Sequence, residues 1–428
     1  MRRIHASQLP AHLGRSVRLA GWVHRRRLLK SVAFLVVRDA TGLGQAVVTD
    51  PAAREAVARL TEETVVEVVG TATGNPAAPG GVELTEPSLR VLGEPAVPPP
   101  FDLYRPTLNA SLPTQLDHAA LALRHPRRAA ALRAGAAAVA GFRATLDGAG
   151  FVEVHTPKLV AAATESGADV FPVGYFGRSA YLAQSPQFYK QLLVGVFERV
   201  YEVGPAFRAE PHDTARHLAQ FTSLDAELGF IDDHRDVMAV LRDVLAGMLG
   251  AVADRAAGSL ATLGGSVPDV PAELPAVDFP QALAIAGADP GALDLDPAAE
   301  RAVGQWAARE HGCDFVFVTG YPMAKRPFYT HPDPARPAYS NSFDLLFRGV
   351  ELVTGGQRLH RYPDYRAALA AAGAPLDPYR PYVEAFRHGM PPHGGFAIGL
   401  ERFVARLVGA GNVREVTAFP RDRNRLTP

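Results

Sequence analysis

The pattern of apolar and polar positions divides the chain in two. Over residues 1–95, short apolar or alternating runs rich in β-branched residues recur at 17–23, 32–38, 44–49, 64–70 and 81–85. Period-two alternation turns one face of each run toward a core, as strands require. Asp39-Ala-Thr-Gly42 is a turn signal, and a helical stretch near 51–61 falls between the third and fourth runs. Five strands with a helix in that place predict a small Greek-key barrel of the OB type. Residues 94–104 are proline-rich and stiff, so 96–127 is expected to be a linker. From about 126 an Ala-rich helix runs to Gly148-Ala-Gly150, and residues 128–428 then mix strands and helices without a βαβ rhythm. The runs at 315–319, 342–347 and 396–399 predict a mainly antiparallel sheet, hence an α+β domain behind the barrel.

Composition narrows the function. Of 428 residues, 47% are hydrophobic and 21% charged, the balance of an ordinary globular protein. Lys+Arg and Asp+Glu are both 44, which excludes coating nucleic acid by bulk charge but not a local patch such as Arg25-Arg26-Arg27 with Lys30. Cys313 is the single cysteine, so no disulfide framework or cysteine metal cluster is expected. No apolar run reaches membrane-spanning length, and the N-terminus is polar. We therefore expect a cytoplasmic protein without membrane contact. Neither Gly-x-Gly-x-x-Gly after a strand nor Gly-x-x-x-x-Gly-Lys-Ser/Thr occurs, which argues against Rossmann and P-loop nucleotide sites.

Three segments carry polar groups that a plain core would not accept. Gly150-Phe-Val-Glu-Val-His-Thr-Pro157 alone reads as structural. The second holds Arg208 and Glu210 after an apolar run, then Arg216 and His217 in a loop, then a further strand ending Asp225-Ala-Glu227. Arg208 should be at least half buried, and a buried guanidinium needs a fixed partner such as a phosphate or carboxylate. In the third, Asp344 and Glu351 offer hard oxygen ligands suited to Mg²⁺ on phosphates. Gly399 precedes a helix with Arg402 in its first turn, a cation where the helix dipole favours an anion.

Together these segments resemble motifs 1, 2 and 3 of class II aminoacyl-tRNA synthetases, and in detail the archaeal-type aspartyl-tRNA synthetases of class IIb. The supporting stretches include Ala163-Thr-Glu165-Ser-Gly, Gln184-Ser-Pro-Gln187-Phe-Tyr-Lys190, Phe207-Arg-Ala-Glu210, Arg216-His217-Leu218, Gly399-Leu400-Glu401-Arg402 and the C-terminal Phe419-Pro-Arg-Asp-Arg. The likeness runs from the first strand to Pro428. It implies ATP-dependent attachment of L-aspartate to tRNA, with a homodimer built on motif 1 and an insertion within 250–330. Residues 250–310 receive no further role.

The resemblance also implies site residues. Arg208 would clamp the α-phosphate and Arg402 the γ-phosphate, as the catalytic pair. Glu210, Arg216, His217, Leu218, Glu351, Gly399, Leu400 and Glu401 would complete the ATP site. Asp344, Glu351 and Thr354 would carry Mg²⁺, with Thr354 standing where the family often has Ser. Lys190 and Arg358 would meet the aspartate β-carboxylate, Glu165 and Gln187 its ammonium, with Arg208 and Thr354 nearby. In the barrel, Phe34 would stack on the central anticodon base, Arg27 and Gln45 would read its edge, and Glu83 would face a neighbour. His24 stands where strict members tend to carry Trp and relaxed members His. This leans toward charging both tRNA(Asp) and tRNA(Asn). The competing readings are an asparaginyl-tRNA synthetase, which the Gln184–Lys190 stretch opposes, and a paralogue that binds RNA or activates an amino acid without charging tRNA.

Overall fold

The computed structural model describes residues 2–162, 170–211 and 213–428. The chain forms two compact units, Met1–His125 and Pro126–Pro428. In the first, strands β1 (Arg3–Ile4), β2 (Ser16–Leu28), β3 (Ala33–Arg38), β4 (Leu43–Val48), β5 (Val65–Gly74) and β6 (Val82–Val91) follow the order β1-β2-β3-β4-β6-β5. β5 also pairs with β2, so five strands close into a barrel. Alternation fills it: Val23, Leu35, Val37, Val66, Val68 and Leu84 point inward and are buried. Helix α1 (Pro51–Arg59) follows β4, capped by the Asp50 carboxylate on the Ala53 N–H and started by Pro51. This is the OB-type barrel expected from the sequence, strand for strand, with the short β1 added. The proline-rich stretch carries no helix or strand until α2 (Leu112–Asp117) and α3 (Ala119–Ala122).

The second unit opens with α4 (Pro126–Gly148). The sheet strands and covering helices follow as β7 (Val152–Glu153), β8 (Leu159–Val160), β9 (Pro172–Tyr175), β10 (Arg178–Leu182), α5 (Gln187–Phe197), β11 (Arg199–Phe207), β12 (Gln220–Gly229), α6 (His234–Arg255) and α7 (Ala257–Leu263). Then come β13 (Ala276–Asp278), α8 (Phe279–Ala286), α9 (Pro297–His311), β14 (Phe315–Thr319), β15 (Ser342–Phe347), β16 (Glu351–Gln357), α10 (Tyr362–Ala371), α11 (Arg380–Val383), β17 (His393–Gly399) and α12 (Leu400–Val408). Eight strands form one sheet, β13-β14-β15-β16-β17-β12-β11-β7, antiparallel except for its two outermost pairings. Small residues along α4 let α6 pack closely: a side chain on Gly141 would strike the Gly247 carbonyl and Met248 Cα.

Period two along the central strands separates two environments. On β12, Leu224, Ala226 and Leu228 join the apolar core shared with α4, α6 and α12. Ser223, Asp225 and Glu227 alternate with them, so they project from the opposite sheet face. The segment 250–310, left without a role by the sequence, is integral: it supplies α7, α8, α9 and the sheet-edge strand β13.

Candidate active site

A cavity of about 380 Å³ opens on that polar face of the sheet. Its lining includes Gln187, Lys190, Arg208, Glu210, Arg216, His217, Leu218, Glu351, Thr354, Arg358, Gly399, Glu401 and Arg402. Residues from motif-like segments far apart in sequence are thus brought to one site. Not every expected residue lines the cavity: Asp344 is not among the lining side chains. Leu400 packs on the apolar core, and Glu165 lies outside the described residues.

At the inner end, α5 carries Lys190, which is 1% exposed. Its ammonium donates to Asp225 Oδ1 at 3.0 Å and to the Phe396 carbonyl at 3.1 Å, and lies 3.3 Å from Glu227 Oε2. Arg358, just past β16, donates Nε to Glu227 Oε1 at 3.1 Å and Nη2 to the Gly395 carbonyl at 2.9 Å. Two cations and two carboxylates therefore balance in a site with little solvent. Burial raises the cost of ionising Glu227, but Arg358 and Lys190 outweigh it and hold its pKa below the usual carboxylate value. Burial and these contacts fix the position of the Lys190 ammonium at the base of the site. Asp225 and Glu227 carry no assignment in the sequence reading. The signal for them was an acidic residue at alternate positions of an otherwise apolar strand.

The outer end holds the arginines. Arg208 lies one residue past β11, where its N–H still donates to the Ala219 carbonyl. Its guanidinium sits 3.8 Å from Glu210 Oε1 and over the Phe221 ring at 5.5 Å. β11 ends at Phe207, so Arg208 and Glu210 both lie in the loop that follows it. In that loop Thr214 Oγ1 bonds His217 Nδ1 at 2.7 Å, and His217 Nε2 is 3.9 Å from Glu210. Arg216 pairs with Glu300 of α9 at 3.1 Å, and the same carboxylate accepts the Glu351 N–H at 3.0 Å. Glu300 is thus a brace supplied by the segment without an expected role. Arg402, in the first turn of α12, donates to the Glu351 carbonyl at 2.8 Å and lies 3.7 Å from the Glu351 carboxylate. Glu401 accepts the Thr222 N–H at 3.0 Å.

Asp344 on β15 pairs in register with Thr354 on β16, whose hydroxyl donates to Glu351 Oε1 at 3.2 Å. Burial, with repulsion from Glu351, pushes the Asp344 pKa up to about 6 against the opposing pull of Arg326, which lies at 3.1 Å. Two mutually repelling carboxylates and a hydroxyl are a hard-oxygen donor set that a divalent cation suits. Among the described residues no group of three or more His, Cys, Asp or Glu side chains could hold a metal ion. A cation here would need oxygens from a second ligand, as Mg²⁺ takes from phosphates.

In the barrel, Arg27 and Phe34 are cross-strand partners, the guanidinium 5.6 Å above the ring. Gln45 on β4 donates to Glu83 of β6 at 3.0 Å. Phe34 and Val36 share a face of β3, and Val36 pairs with Gln45, so these side chains form one continuous surface. His24 sits at the β2 bulge and is buried, 3.3 Å from Arg38, which forks onto Glu63 at 2.8 Å through both terminal nitrogens. Burial and Arg38 push its pKa down to about 4.

A basic, stacking-capable barrel joined to an antiparallel sheet with an arginine-lined cleft defines the class: a tRNA synthetase of class II architecture. The family model for class II tRNA synthetases (D, K and N) matches residues 111–423, and an OB-fold nucleic acid binding domain model matches residues 17–92. The chain belongs to this class II synthetase family. It is 45% identical to the aspartate–tRNA(Asp/Asn) ligase of Deinococcus radiodurans over 100% of this chain and 99% of that protein. It is 39% identical to the aspartate–tRNA(Asp) ligase of Thermoplasma acidophilum over 97% of each. The crystal structure of asparaginyl-tRNA synthetase from Pyrococcus horikoshii with asparaginyl-adenylate matches with a TM-score of 0.92, at 29% identity over 100% of both chains. As a member of this family the chain uses tRNA, ATP and an amino acid as substrates. Among the described residues no helix is long and apolar enough to cross a membrane.

Proposed function

We propose that this chain activates L-aspartate with ATP and transfers it to tRNA, serving both tRNA(Asp) and tRNA(Asn). The observation that carries the choice of amino acid is the inner pair of Lys190 and Arg358, buried at hydrogen-bonding distance from fixed carboxylates. A β-carboxylate entering beside them completes charge-assisted bonds. A carboxamide would leave those donors facing an NH₂ group. The 45% identical relative that is named for both tRNAs, and the His24 position, support the wider tRNA range.

The chemistry follows from alignment and charge neutralisation. An oxygen of the aspartate α-carboxylate attacks the α-phosphorus of ATP, and the bond to pyrophosphate breaks. Arg208 neutralises charge on the α-phosphate; Arg216, His217 and Arg402 take the outer phosphates. Glu210 contacts the adenine end, beside Gly399 and Glu401. Asp344, Glu351 and Thr354 would hold Mg²⁺, which draws charge from the phosphates. The terminal adenosine hydroxyl of tRNA then attacks the aspartyl carbonyl, and AMP leaves. Phe34, Arg27, Gln45 and Glu83 present a stacking and edge-reading surface for the anticodon. We further propose a homodimer formed through α4 and the edge strand β7, and residence in the cytoplasm, where the lone buried Cys313 remains a thiol. The test is pyrophosphate exchange with aspartate against asparagine, followed by charging of tRNA(Asp) and tRNA(Asn) transcripts side by side. Exchange with aspartate and charging of both transcripts supports the proposal; exchange driven by asparagine overturns it.

A further inference from the structure

Behind the amino-acid pocket lies a buried polar chain of which only Gln187 has a role above. His393, fully buried on β17, places Nδ1 2.9 Å from the Pro391 carbonyl. A carbonyl only accepts, so Nδ1 carries the proton. Burial pushes the His393 pKa down to about 4, so at neutral pH the ring is uncharged and Nε2 is a bare lone pair. Gln191 Nε2 lies 2.9 Å from that lone pair and must donate to it. The Gln191 amide is thereby fixed, and its oxygen accepts from Gln187 Nε2 at 2.9 Å and from the Tyr382 hydroxyl at 2.8 Å. The Tyr365 hydroxyl, 3.1 Å from Gln191 Nε2, completes the cage. Tyrosine hydroxyls both give and accept, so they tolerate either orientation; the imidazole does not.

Each link passes direction to the next. With its NH₂ committed to Gln191, Gln187, which lines the cavity, has its carbonyl oxygen left for the substrate. From this we infer that His393 is a positioning residue: through Gln191 it locks the Gln187 amide so that the pocket presents an acceptor to the substrate ammonium rather than a donor. This rests on the proposed role of Gln187 in holding the ammonium.

The experiment is steady-state pyrophosphate exchange on the full-length protein. His393→Phe removes the lone pair. We expect the KM for aspartate to rise roughly tenfold, about one hydrogen bond to a charged group, with kcat and the ATP KM within about twofold. His393→Gln, which can return an amide oxygen near the lost Nε2, should recover most of that loss. If His393→Phe does not fold, Gln191→Met carries the same expectation. An unchanged aspartate KM in His393→Phe, with a raised one in Gln187→Ala, overturns the inference alone. A rise of the aspartate and ATP KM values together in His393→Phe, or no rescue by His393→Gln, also overturns it. An unchanged KM in Gln187→Ala sinks the role of Gln187 and the inference with it.

Discussion

Replacing Lys190 by Met tests the pocket at its most buried charge. The side chains are similar in volume, so packing is nearly kept and the ammonium alone is lost. Lys190 is 1% exposed and bound to Asp225 and the Phe396 carbonyl at 3.0 and 3.1 Å. Breaking a buried pair by removing one partner costs about 3–5 kcal/mol of stability. Part of that is offset here, because Ser223 still donates to Asp225 and Arg358 still bonds Glu227. The effect on substrate is separate: truncating one side of a buried charge pair costs about 2–5 kcal/mol of binding. At about 1.4 kcal/mol per decade, kcat/KM for aspartate should fall roughly 30- to 4,000-fold. Asparagine, which has no side-chain carboxylate to offer, should lose far less, so the preference for aspartate should collapse. The assay is pyrophosphate exchange with each amino acid, with circular dichroism to establish that the variant is folded. An aspartate KM within threefold of the parent in a folded variant would refute the reasoning.

Other predictions follow from the same geometry. Arg358→Lys keeps the charge but cannot reach both Glu227 and the Gly395 carbonyl, so kcat/KM for aspartate should drop at least tenfold; parity with the parent in exchange assays contradicts this. Phe34→Ala should raise the KM for tRNA by the roughly 1–3 kcal/mol of one base stack, while amino-acid activation in the absence of tRNA stays unchanged. Because the Asp344 pKa is raised to about 6, its carboxyl is protonated below that pH and cannot ligate a cation. Mg²⁺ titrations of the exchange reaction should show weaker apparent affinity at pH 5.5 than at 7.5, and equal affinities would exclude Asp344 as a ligand. A side chain at Gly395 would overlap the Ala226 carbonyl and the Glu227 carboxylate, so Gly395→Ala should lose roughly 1–3 kcal/mol in a thermal melt and weaken aspartate binding as well.

The barrel was legible because its strands alternate with period two and a turn is marked by Asp39-Ala-Thr-Gly42. Long-range pairing was not legible. That Glu300 would cross to Arg216 and the Glu351 amide depends on how α9 returns to the sheet, and no local pattern encodes it. Lys190 and Arg358 stood out through the resemblance, yet the carboxylates that balance them did not. A lone acid in a strand looks like a solvent-facing residue until the sheet shows which face is covered. The same holds for His393 and Gln191, whose meaning lies wholly in hydrogen-bond direction across 202 positions of sequence. His24 illustrates the reverse: its residue type pointed to tRNA choice, and the fold places it beneath the surface against Arg38.

The most direct measurement is a crystal structure with L-aspartate and a non-hydrolysable ATP analogue. The β-carboxylate should lie within about 3 Å of Lys190 Nζ and the Arg358 guanidinium, with the α-carboxylate turned toward the α-phosphate beside Arg208. A substrate bound with its β-carboxylate in solvent, and Lys190 still committed only to Asp225, Glu227 and the Phe396 carbonyl, would contradict the account.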